Sequence, residues 1–157
     1  MSLAIISLIA WFVMILFVIM PKWLTVTEIF FLYFIVGIMT VTLFTILDVN
    51  LRWVPVTRKV ENSFALDICR FIIIPLLVIM AACFLNSPLS AFWRWTMASV
   101  IMVILMVDDW IMQWCGLIVF RQWNAFYSFL MYGGVIVMLA LISRWFVRLD
   151  RGGLEQT

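Results

Sequence analysis

Five apolar stretches, each long enough to cross a bilayer, fix what this chain can become. They run over about 3–20, 28–47, 64–85, 91–119 and 126–147. A spanning helix needs roughly 20 predominantly apolar residues at about 1.5 Å of rise each. Inside lipid every backbone polar group must find its partner within the protein, so stretches of this length read as helices. Hydrophobic residues make up 68% and charged residues 11% of the 157, against roughly 45–50% and 25% in soluble domains. Little chain remains to build anything outside the membrane. The expected fold class is therefore all-α: one domain, 1–157, forming a polytopic membrane bundle of five transmembrane helices in the lipid bilayer.

The flanks of the stretches carry the punctuation such helices need. The first ends at Pro21-Lys22-Trp23, a helix stop followed by a snorkelling cation and an interfacial aromatic. No basic residue precedes it and no small-x-small cleavage site follows, so it reads as a retained span rather than a signal peptide. Thr25 or Thr27 offers an N-cap to the second, with Glu28 in its first turn, and Asp48-Val-Asn50 stops it. Asn62 or Ser63 caps the third, and Asn86-Ser87-Pro88 is its exit turn. The fifth closes with Arg144, Arg148, Arg151 and Gly152-Gly153.

Between spans two and three, Arg52, Trp53, Arg58 and Lys59 interleave with Leu51, Val54 and Val56, a mixture suited to lying on headgroups. A catalytic loop is the sharper alternative, but no nucleophile–base set accompanies it. Basic residues are nearly balanced: Arg52, Arg58, Lys59 and Arg121 on the N-terminal side, Lys22, Arg94, Arg144, Arg148 and Arg151 on the other. The compact arginine cluster of the tail tips the expectation towards a cytoplasmic C-terminus.

The absences narrow the chemistry. There is no histidine, the commonest general base at neutral pH and the commonest metal ligand. Cys69, Cys83 and Cys115 all lie in apolar runs without CxxC spacing and read as buried hydrophobes. No catalytic residue, cofactor or metal is expected. A net charge of +2 without a basic tract gives no footing for a nucleic-acid partner.

Polar residues inside the spans are then the candidates for a site. Asp108 and Asp109 stand side by side in span four, where each carboxylate costs on the order of 2.5–3.5 kcal/mol at mid-membrane. About 100° apart around a helix, they cannot both face one partner. Asp109 shares a stripe with Gln113 and Gly116 that is expected to face the bundle interior, leaving Asp108 at a helix seam. With span four running to Val119, Asp109 lies about 15 Å deep. Asp67 and Arg70 form an i,i+3 pair at the start of span three; either they anchor that helix end locally or Arg70 reaches towards Asp109. Two carboxylates and one arginine do not balance, so at least one acid is expected to be neutral, serving a proton relay or an inert interhelical hydrogen bond. In span five, Asn124, Ser128 and Tyr132 recur at i, i+4 and i+8 on one face, beside Gly133-Gly134, and read as helix-packing groups.

Three motifs carry a resemblance. Asp67-x3-Phe71-x3-Pro75, Asp109-Trp110 with Gly116 seven residues after Asp109, and Trp123-Asn124-x2-Tyr127-Ser128 resemble an uncharacterised family of small five-helix membrane proteins from endospore-forming bacteria. The likeness covers Glu28 to Leu149. The family usually carries glutamate where Asp109 stands, and a more polar, tryptophan-rich loop after span one. The resemblance implies a five-helix bundle in a bacterial plasma membrane and, by association, a spore-related setting; it supplies no activity.

The expected function is thus a structural or partner-binding subunit of a membrane complex, its partner another membrane protein or a second copy. The alternative is a transport or ion-conducting component using a buried carboxylate of span four as proton or cation site. An intramembrane enzyme is disfavoured, since adjacent aspartates on one helix do not converge on a substrate.

Overall fold

The computed structural model describes residues 2–54 and 60–154, with side chains as far as 146. It is an all-α bundle containing five helices long and apolar enough to cross a membrane. They are α1 (Ser2–Ile19), α2 (Val26–Asn50), α3 (Val60–Leu85), α4 (Ala91–Trp114) and α5 (Ala125–Leu154). Arg58 and Lys59 of the basic loop lie outside the described residues, as do the side chains of Arg148 and Arg151.

The hub is α3. Over its most apolar stretch 67% of residues are buried, against 17–33% in the other four helices, and it packs against α1, α2, α4 and α5. Its C-terminal half explains why. Ala81, Ala82 and Cys83 are fully buried and short, which lets neighbouring backbones approach, while Leu77 and Ile79 fill the spaces between.

Local chemistry sets the ends. Thr25 caps α2 in a capping box: its hydroxyl accepts from the Glu28 N–H at 3.3 Å and its own N–H donates to Glu28 Oε2 at 2.7 Å. The end of α2 winds into a π turn, Ile46–Asn50, and stops where Arg52 takes a left-handed φ of 54°. α3 starts at Val60, earlier than the capping residues suggest, so Asn62 lies inside the helix and accepts from Ser2 Oγ of α1 at 2.7 Å.

Within α3 a second π turn spans Cys69–Ile73, immediately before Pro75. Proline has no N–H to return to Phe71, four residues back, and the Tyr33 hydroxyl of α2 donates to that Phe71 carbonyl instead. The polar tyrosine thus repairs the ladder that Pro75 interrupts.

α4 is shorter than its apolar run. Gly116 has a φ of +68°, and the Leu117 N–H donates to the Met112 carbonyl at 2.9 Å while the Gly116 N–H donates to Gln113 at 2.9 Å. This Schellman pattern ends the helix, and Leu117 and Ile118 fold back into the core instead of continuing it. A backbone bond from the Arg121 N–H to the Trp53 carbonyl at 3.0 Å fastens this returning segment to the end of α2.

Alternating spans bring the start of α1, the end of α2, the start of α3, the end of α4 and the start of α5 to one face, here the N-terminal face. Reporter fusions at Met1 and Thr157 are expected to report opposite compartments. The same compartment for both would contradict five crossings.

Candidate functional site

Five ionisable side chains from three helices meet below the N-terminal face. α4 supplies Asp108, 3% exposed, and Asp109, 5% exposed, together with Cys115 just past its end. α3 supplies Cys69, fully buried on its π turn, and α5 supplies Tyr132, 2% exposed.

The two aspartates are treated differently. Asp109 Oδ1 accepts from the Tyr132 hydroxyl at 2.7 Å, with the Ser128 hydroxyl beside the same carboxyl. Ser128 in turn accepts from Trp123 Nε1 at 2.8 Å, so α5 and the segment before it hold Asp109 in place. Both oxygens of Asp108 are buried and have no hydrogen-bond partner among the described residues. Leaving a buried polar group unmatched costs on the order of 1–3 kcal/mol, more where it is charged.

Three expectations change here. Asp109 sits five residues from the end of α4, about 7.5 Å rather than 15 Å, because Gly116 terminates the helix; its burial comes from the returning Leu117–Ile118 segment. Gln113 and Gly116 do not form an interior stripe with it. Gln113 is half-buried and reaches only the Asp109 backbone carbonyl, at 3.5 Å, and Gly116 is exposed. Asp108, expected at a seam, is buried like its neighbour, at 3% exposed against 5%, and its expectation stands unchanged.

Arg70 departs from both of its expected roles. Among the described residues it forms no ion pair with Asp67, which is exposed, or with Asp109. Its guanidinium carbon lies 4.4 Å from the centre of the Phe44 ring, a cation–π arrangement, and its Nε and Nη2 are buried without a partner. The acids whose charge acts on it are Asp67 and Asp48. The π turn is the cause, since it turns the side chain towards α2.

The stripe of α5 separates into two tasks. Asn124 is the N-cap, its Oδ1 accepting from the Tyr127 N–H at 3.1 Å. Ser128 and Tyr132 face the aspartates. The tie between Tyr132 and Asp109 joins two groups the sequence presents separately. A second network, on the opposite face, has no clear sequence signal. Asn86 donates to the Ala82 carbonyl and to Ser143 Oγ, and accepts from Arg144 Nε at 3.1 Å, fastening the end of α3 to α5.

One small space adjoins the site, and a groove lies along other residues of α4 and α5. A cavity of about 10 Å³ lies beside Asp109, Ser128 and Tyr132 under Ile118 and Trp123. A far larger groove of about 620 Å³ runs along α4 and α5, lined by Ala98, Ser99, Met102, Val103, Gly133 and Val137 among others, none of them charged. Among the described residues no cluster of His, Cys, Asp and Glu has the geometry to hold a metal ion. Compared with family models, curated proteins and solved structures, the chain matches none.

Proposed function

We propose that the protein is a partner-binding subunit of a larger membrane complex, and that the groove between α4 and α5 receives a transmembrane helix of another protein. The observation that carries this reading is the contrast between the two spaces. The carboxyl site has room for about one water, too little for an aqueous route. The groove along α4 and α5 is apolar, walled by Trp95, Trp110 and Phe129, with Ala98, Ser99, Ala125 and Gly133 leaving room between them. Between membrane helices, small residues permit close backbone approach, and methionines such as Met102 and Met106 adapt to an incoming surface. A Cβ at Gly133 would lie 3.3 Å from Met102 Cε, close enough to press on the flexible end of that side chain.

The unmatched Asp108 carboxyl favours a second reading, in which the buried acids handle a proton for a transport component. The resemblance supports placing either role in a bacterial plasma membrane with a spore-related setting, and the arginines of the tail support a cytoplasmic C-terminus.

A photoreactive residue at Val103 or Val137, in native membranes, is expected to give one discrete protein adduct, and none from Leu8 on the exposed face of α1. Lipid adducts alone at all three positions would contradict the subunit reading. A product of twice the chain's mass would replace the foreign helix with a second copy.

A further inference from the structure

The groove along α4 and α5 ends beside a cation with one bonding edge still open. Leu85 and Trp95 line that end. The Leu85 carbonyl accepts from Arg144 Nη2 at 3.5 Å, and Asn86 Oδ1 accepts from Arg144 Nε at 3.1 Å. Asn86 is itself held by the Ala82 carbonyl and Ser143 Oγ, so the guanidinium has a fixed place. Nε and Nη2 make up one edge of the planar guanidinium, and the chain fills it. The other edge, Nη1 with the second hydrogen of Nη2, has no partner among the described residues, and the side chain is exposed. Such an edge presents two parallel donors, the match for a carboxylate. Of the acids whose side chains are described, only Glu28 lies on this side of the bundle, and its Oε2 is committed to the Thr25 N–H.

We propose that the helix received by the groove carries an aspartate or glutamate near its end on this side, and that Arg144 holds that carboxylate through its open edge. The proposal rests on the subunit reading above and names the chemistry by which the partner is recognised.

A helix suits this space better than a lipid does. The lining follows α4 from Trp95 to Trp110, about 22 Å at about 1.5 Å per residue. A lipid chain descends through one leaflet, about 15 Å, half of the roughly 30 Å hydrocarbon core. Ser99 points the same way. The exposed hydroxyls of Thr45 and Thr96 bond back to the carbonyls of Val41 and Phe92, four residues earlier, at 2.7 and 2.9 Å. Ser99, also exposed and lining the groove, makes no such bond among the described residues. Its hydroxyl is free to donate across the groove. Hydrocarbon offers it no acceptor, whereas a polar group on a neighbouring helix does.

Carbodiimide coupling in native membranes reads the carboxylate directly. Arg144→Lys keeps the charge and supplies an amine. The carbodiimide activates the partner's carboxyl, the amine displaces the activating group as a urea, and an amide remains. The photoreactive residue at Val103 identifies the partner through its adduct. Arg144→Lys is expected to form an amide to that same protein, and neither the wild type nor Arg144→Gln to form one, since neither has an amine at this position. The photo-adduct should survive in Arg144→Lys and fall several-fold in Arg144→Gln. If Arg144→Gln does not fold, the comparison of Arg144→Lys with the wild type decides alone. A photo-adduct without any amide from Arg144→Lys overturns the carboxylate and leaves the subunit reading in place. If that adduct also falls in Arg144→Gln, the anion at Arg144 is a lipid phosphate, and the proposal is overturned equally. Absence of the photo-adduct from the wild type overturns the subunit reading and the proposal with it.

Discussion

Replacing Asp108 by leucine is expected to stabilise the folded protein in detergent, and replacing its neighbour Asp109 by leucine to destabilise it. Leucine approximates the branched outline of aspartate, so the substitutions differ mainly in what they do to polar partners. At position 108 the change removes two buried oxygens that nothing matches and leaves no orphan behind, a gain of about 1–3 kcal/mol. At position 109 it strands the Tyr132 hydroxyl, 2% exposed and 2.7 Å from the lost acceptor, a loss of about 1–3 kcal/mol. Unfolding by SDS in mixed micelles measures both. Effects of the same sign for these adjacent residues would contradict the division of roles described above.

The second large effect lies in the hub. Ile79 is fully buried where α3 meets its neighbours, and Ile79→Ala is expected to lose about 2–5 kcal/mol. Leu8→Ala should change stability by only a few tenths of that, although both remove the same kind of atoms. Leu8 is 71% exposed on α1, and in a bilayer its side chain exchanges lipid contacts for lipid contacts. Ile79 touches protein, and dispersion contacts with a fixed neighbour are what a cavity forfeits. Equal losses for the two would mean that α3 is not the packing centre.

How far the sequence discloses all this depends on the range of the interaction concerned. The helices are legible because backbone satisfaction in lipid is a local demand, and so are Thr25 as one of two candidate caps and the stop at Asn86, while the reciprocal bond from the Thr25 N–H to Glu28 is not. The end of α4 was misplaced because hydropathy does not distinguish Leu117 and Ile118 folding back from the same residues continuing a helix. Gly116 carried that information, but its left-handed φ is a matter of conformation rather than composition. Asp108, Asp109 and Tyr132 were all legible as candidates, while the bond between Tyr132 and Asp109 was not, since it joins residues 23 apart in sequence on different helices. Arg70 was misread for a further reason. A π turn adds one residue to the cycle and rotates every side chain before it, so the face assigned from ideal helical spacing is the wrong one.

The account turns on Asp109 being tied to Tyr132 while Asp108 is not, and a pair of double-mutant cycles sharing Tyr132→Phe tests that most directly. With Asp109→Asn the cycle should show a coupling of about 0.6–1.7 kcal/mol, the range for hydrogen bonds between membrane helices, and with Asp108→Asn a coupling near zero. Coupling of Tyr132 to Asp108 with additivity at Asp109 would contradict the site as described.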